Sequence, residues 1–128
     1  MADLTLANVS MDFNSANRVL SGVAGEDLPA GSPVYMAADG KIKKAVSTQC
    51  TIATIPDFLG VVVEAVKSGK PVTVFGKNTR VSLVDSGLVP GSLYWISGNA
   101  GKISDAKVAA GDTPFAMAVS SSDAIIVK

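Results

Sequence analysis

The chain reads as all-β: a small β-barrel or β-sandwich built from short hairpins, with an extended N-terminal arm. Three observations predict this. A turn-and-hairpin pattern occurs twice, short Val- and Ile-rich runs sit between Gly and Pro punctuation, and hardly any stretch has helical apolar spacing. The 128 residues fit one β domain over residues 21–128, with residues 1–20 as the arm.

In the arm, Leu4, Leu6, Val9, Met11 and Phe13 are scattered among Asn, Ser, Asp and Thr, with no helix cap or turn signal. The spacing of Leu4 with Leu6 and of Met11 with Phe13 allows a period of two. The segment is therefore extended, either as a free arm or as a first strand of the sheet.

The repeated pattern begins at Leu28-Pro29-Ala30-Gly31-Ser32-Pro33-Val34-Tyr35 and leads to Asp39-Gly40-Lys41-Ile42. It returns as Leu88-Val89-Pro90-Gly91-Ser92-Leu93-Tyr94-Trp95-Ile96, leading to Gly101-Lys102-Ile103. Each copy predicts a turn, a short strand with an aromatic, a glycine turn and a second short strand. Gly31, Gly40, Gly91 and Gly101 define the turns, because such corners need backbone angles that only glycine adopts freely.

Strands are expected over residues 34–37, 41–46, 58–66, 72–75, 80–84, 93–97, 115–119 and 124–127. Val72 and Val74 flank Thr73, and Val81 and Leu83 alternate with Arg80 and Ser82, as in strands with one wet face. Phe58 to Val63 is apolar on both faces and belongs in the middle of the core. Ser68-Gly69-Lys70-Pro71 and Gly76-Lys77-Asn78 are turns. A single helical turn or two is expected from Ser104, as cap, to Gly111, as stop.

Composition limits function. Apolar residues make up 48% of the chain and charged ones 17%, which excludes disorder. So little charge implies either a covered surface, as in an oligomer, or a large β core dressed in Ser, Thr and Gly. Eleven basic residues balance eleven acidic ones, so no net field draws the protein to nucleic acid or to an anionic membrane. The lone Cys50 makes no internal disulfide. The first residues lack a basic and apolar leader, and no apolar run spans a bilayer, so a soluble protein made in the cytoplasm is expected.

Catalytic chemistry has little to work with. The chain has no histidine, which removes the usual neutral-pH base, the Ser-His-Asp and Cys-His arrangements and the commonest zinc ligand. Glu26-Asp27 are turn residues rather than metal ligands. Glu64 could act as an acid only beside a second carboxylate, and the sequence nominates none, so an outward or interface position is expected. Cys50 lacks an activating neighbour. Gly40-Lys41 and Gly76-Lys77-Asn78-Thr79 are hairpin turns rather than phosphate loops, since β runs flank both. Lys41, Lys43 and Lys44 read as a solvated strand edge. Tyr35, Tyr94 and Trp95 read as core more readily than as a stacking platform. The expectation is no enzyme, no cofactor and no metal.

The residues also carry a resemblance. Gly25 to Tyr35, Asp39 to Ala45 and Leu59-Gly60-Val61-Val62 resemble the start of small head proteins of tailed bacteriophages, the capsid decoration (cement) proteins and related head-fibre bases. Gly69 to Val74, Leu88 to Ser97, Gly101-Lys102-Ile103 and Ala116 to Ser120 continue the likeness, which covers residues 20 to 127. It implies a compact β structural protein, a homotrimer made in the host cytoplasm and seated on the outer surface of the virion capsid. There it would bind the major capsid protein and reinforce the shell. Leu4, Leu6, Val9 and Phe13 would supply capsid or inter-subunit contact on this reading. No collagen-like or coiled-coil stretch follows the β domain, so a long fibre is not expected. The alternative is a host- or glycan-binding module of a phage fibre or tail.

Overall fold

The computed structural model describes residues 3–12, 14–46, 59–106 and 114–127. They form strands β1 (Ser10–Met11), β2 (Arg18–Val23), β3 (Pro33–Met36), β4 (Ile42–Lys44), β5 (Gly60–Val61) and β6 (Pro71–Phe75). Strands β7 (Arg80–Ser82), β8 (Leu93–Ile96), β9 (Ile103–Ser104), β10 (Ala116–Ala118) and β11 (Asp123–Ile126) complete the set. No helix occurs among the described residues. Two antiparallel sheets result, ordered β1-β7-β11-β10-β8-β9 and β2-β6-β5-β3-β4. Of the two architectures the sequence allows, this is a small β-sandwich rather than a closed barrel.

The two sheets share one topology. Replacing β2 through β6 by β7 through β11, strand for strand, turns the order β2-β6-β5-β3-β4 into β7-β11-β10-β8-β9. Registers follow suit: Pro33 pairs with Val61 where Leu93 pairs with Met117, and Ser21 pairs with Thr73 where Ser82 pairs with Asp123. The chain is thus two tandem five-stranded units, and the hairpin repeat visible in the sequence is the best-preserved part of each.

Alternation then sorts side chains into two cores. Val34, Ile42, Val62, Val72 and Val74 join Ala24 and Leu28 in a smaller cluster made by the first unit alone. The opposite faces of β3 and β5 turn Tyr35 and Val61 to a larger cluster shared with Val81, Leu83, Tyr94, Ile96, Ile103 and Phe115 of the second unit. Strand β5 is therefore covered on both sides, as its sequence predicts. Its Gly60 is obligatory, because a Cβ there would lie 2.3 Å from the Phe75 carbonyl oxygen across the ladder.

Ser104, the expected helix cap, lies at the end of β9, and its hydroxyl accepts from the Ala106 N–H at 3.2 Å and so turns the chain locally. Residues 107–111 of that expected helix lie outside the described residues. The long strand expected over 58–66 is short, because the chain bends at Val63 and Glu64 before Leu28 and Val66 form an isolated bridge. Phe58 lies outside the described residues.

Candidate interaction surface

The repeated turns are built alike. Ser32 and Ser92 donate their N–H groups back to Pro29 and Val89, closing four-residue turns with Gly31 at φ 83° and Gly91 at φ 89°. Those angles suit a type II turn, in which the third residue needs positive φ. The proline is displaced by one residue between copies: Pro90 occupies the second turn position, whereas Pro29 occupies the first. Gly31 and Gly91 then donate to the Val62 and Ala118 carbonyls, both at 2.8 Å, so each turn is stitched to the neighbouring strand. Gly40 and Gly101 also have positive φ, at 83° and 76°.

The copies differ in what covers them. Gly91 is open, but a Cβ on Gly31 would sit 2.9 Å from Leu6 and 3.1 Å from Val9. The N-terminal segment lies across the first turn and the larger core. Leu4, Leu6 and Met11 pack half-buried against that core. Leu4 donates to the Ile103 carbonyl at 2.8 Å, Asp3 bridges Ser104, and β1 pairs with β7 through Ser10 with Ser82 and Met11 with Val81. The segment thus runs from the β9 edge of the six-stranded sheet to its β7 side. Phe13 lies outside the described residues.

Beside this segment is a groove of about 420 Å³, lined by Val9, Ser10 and Met11 on one side and by Val63, Glu64, Val66, Pro71, Thr73 and Phe75 on the other. Its walls are mostly apolar. Glu64 is exposed at the groove, with no ion pair among the described residues. Sequence reasoning singled out Glu64 and Val9 but gave no reason to join them, since 55 residues separate the two positions. The aromatics make no platform: Tyr94 is buried in the larger core, Tyr35 packs on it, and Trp95 is half-buried with its indole N–H unpartnered among the described residues.

Polar groups tie elements together. The Glu26 carboxylate accepts the Lys44 N–H at 2.9 Å and faces its ammonium at 3.9 Å. The Ser68 N–H, with Lys67 nearby, holds the Asp27 carboxyl below its ordinary range. Both acids therefore serve their turns. Lys43 faces Asp39 at 4.0 Å, so two of the three clustered lysines are paired within the molecule. Burial alone would raise the Asp123 carboxyl, yet hydrogen bonds from Arg80 and Ser122 outweigh it and hold the group low; the Arg80 contact is 2.8 Å. Asp3 is held low by the Ser97 hydroxyl at 2.6 Å and by the Asn99 amide at 3.0 Å. Among the described residues no cluster of acids is arranged to hold a metal ion. Cys50 lies outside them.

No protein-family model matches the chain, and no curated protein matches it.

Proposed function

We propose that this protein is a structural decoration protein of a tailed-phage head, which binds the major capsid protein from outside and stabilises the shell by shape rather than by catalysis. The observation that carries the reading is the pair of Pro-Gly-cornered hairpins on which the sequence resemblance rests. Both belong to one repeated five-stranded unit, stitched by the same turn hydrogen bonds. The two units share one buried core, and an interlocked body of this kind suits a part that reinforces a shell. Multivalent attachment supplies the strength, because once one copy of an assembly has bound, the remaining contacts form at high effective concentration.

The test is cosedimentation of the purified protein with undecorated heads, followed by heating and measurement of released DNA. Saturable binding and a higher release temperature are expected. Protein that stays in the supernatant at all head concentrations would remove the reading.

A further inference from the structure

The N-terminal segment ends in an open strand edge. Strand β1 pairs with β7 on one side and terminates the six-stranded sheet on the other. Ser10 lies opposite Ser82, and Asp12 donates to the Arg80 carbonyl at 2.9 Å. Backbone groups of alternate residues aim at the same neighbour, so those of Ser10 and Asp12 aim at β7 while those of Val9 and Met11 aim away from it. The far side of β7 agrees. Leu83 donates to the Ser122 carbonyl and Ile126 to the Thr79 carbonyl, so Val81, which stands opposite Met11, turns its own backbone groups to β11. No described residue bonds the outward backbone groups of Val9 and Met11.

That open side is the groove. Val9, Ser10 and Met11 line it, Thr73 and Phe75 of β6 stand across from them, and no residue of β7 takes part. Its volume of about 420 Å³ falls within the roughly 300–1,000 Å³ of sites that enclose a ligand. Glu64 is the one ionisable residue among those described in the lining, and it has neither an ion pair nor a hydrogen bond among the described residues. In this it differs from its kind. The carboxylates of Asp3, Asp12, Glu26, Asp27, Asp85 and Asp123 each have a partner within the molecule.

We infer that the groove binds an extended segment of another protein, which adds a strand to the open edge of β1, lays apolar side chains between Met11 and Phe75, and sets a lysine or arginine against Glu64. Each part of the partner follows from a separate feature. Val9 and Met11 present backbone donors and acceptors about 7 Å apart at strand rise, a spacing that reads another main chain rather than a small molecule. The apolar walls take every second side chain of such a strand, because alternate residues share a face. The unpaired carboxylate then fixes register and partner, since it rewards a cation and repels an anion. The edge is short, so the contact is weak and local. This inference stands apart from the capsid reading, since either can fail alone.

The experiment is an NMR titration of the isotope-labelled chain with a capped synthetic peptide, Thr-Val-Thr-Lys-Thr-Val-Thr. Saturable shifts are expected for the amides of residues 9–11, 63–66 and 71–75, with the Val9 and Met11 amide protons moving downfield as they gain bonds. The same peptide with every backbone nitrogen methylated is expected not to bind. A version with glutamate in place of the lysine is expected to bind at least about threefold more weakly, as one exposed ion pair turned to repulsion allows. Glu64→Lys is expected to reverse that preference, and Glu64→Gln to abolish it should the lysine variant not fold. Absence of saturable shifts at millimolar peptide, shifts confined to another surface, or equal binding of the methylated peptide would each overturn the assignment. So would a charge preference that survives Glu64→Gln. Groove amides that shift with protein concentration alone would put a second copy there instead, and would overturn it too.

Discussion

Gly31 and Gly91 show how one local conformation acquires two different costs. Both corners demand positive φ, so a side chain at either is strained by roughly 1–2 kcal/mol. Alanine also restricts the unfolded chain, which returns about 0.4–1 kcal/mol at best. Gly91 has nothing within 4 Å of a new Cβ, and Gly91→Ala is expected to cost no more than about 1–2 kcal/mol. At Gly31 the added carbon meets Leu6 and Val9, and pushing them aside adds roughly 1–3 kcal/mol of overpacking. Denaturant unfolding of the two variants checks the ranking; equal midpoints would mean that the N-terminal segment does not bear on the first turn. Such corners were the most legible part of the sequence, because positive φ favours glycine, which holds six of the eight described positions that adopt it, with Asn8 and Asn78 at the other two. Their surroundings were not. Nothing near Gly31 in the chain announces that Leu6 covers it, since that contact is set by the path of a distant segment.

Among elements, legibility followed alternation. Strands β6 and β7 declare themselves through Val72, Thr73 and Val74 and through Val81 and Ser82, whose burial alternates as their polarity does. Strand β2 does not, because Arg18-Val19-Leu20-Ser21-Gly22-Val23 mixes a bulge, a glycine and exposed valines. It straddles residue 20, where composition suggested a junction. The groove was illegible for the same reason, being formed where β1 approaches β6. The N-terminal segment, open as arm or strand in the sequence, ends in β1 and is moored at its start by Asp3. Asp3 has a lowered pKa from the Ser97 hydroxyl and the Asn99 amide, so its ionised form favours the folded state. That contribution is fully present above the ordinary carboxylate value of about 3.9 and is lost as pH falls through the lower folded value. Asp3→Asn is therefore expected to be less stable than wild type near neutrality, with the gap closing in acid. Paired denaturation curves across that range measure it; a gap of constant size would show that the charge of Asp3 plays no part.

At the scale of the molecule, duplication of a unit need not mean independence of its halves. The first unit has a core of its own around Val34, Ile42 and Val74. Among the described residues the second has none: its buried Val81, Leu83, Tyr94 and Ile103 share a cluster with Ala45 and Val61 from the first unit, and Leu4, Leu6 and Met11 cover that cluster. Backbone and side-chain bonds cross the same boundary, from Gly101 N–H to the Ala45 carbonyl at 2.9 Å and from Arg80 N–H to the Ser15 hydroxyl at 2.9 Å. Residues 77–128 alone would expose that shared face, and a unit of this size cannot spare it. They are expected to be unfolded in isolation and to regain β structure when residues 1–76 are added. Circular dichroism and amide chemical-shift dispersion of the fragments, separate and mixed, decide the matter. A fragment 77–128 that folds by itself would mean that the halves are beads on a string. The rigidity on which a shell-reinforcing role depends would then have to come from contacts between chains rather than from this interlocked core.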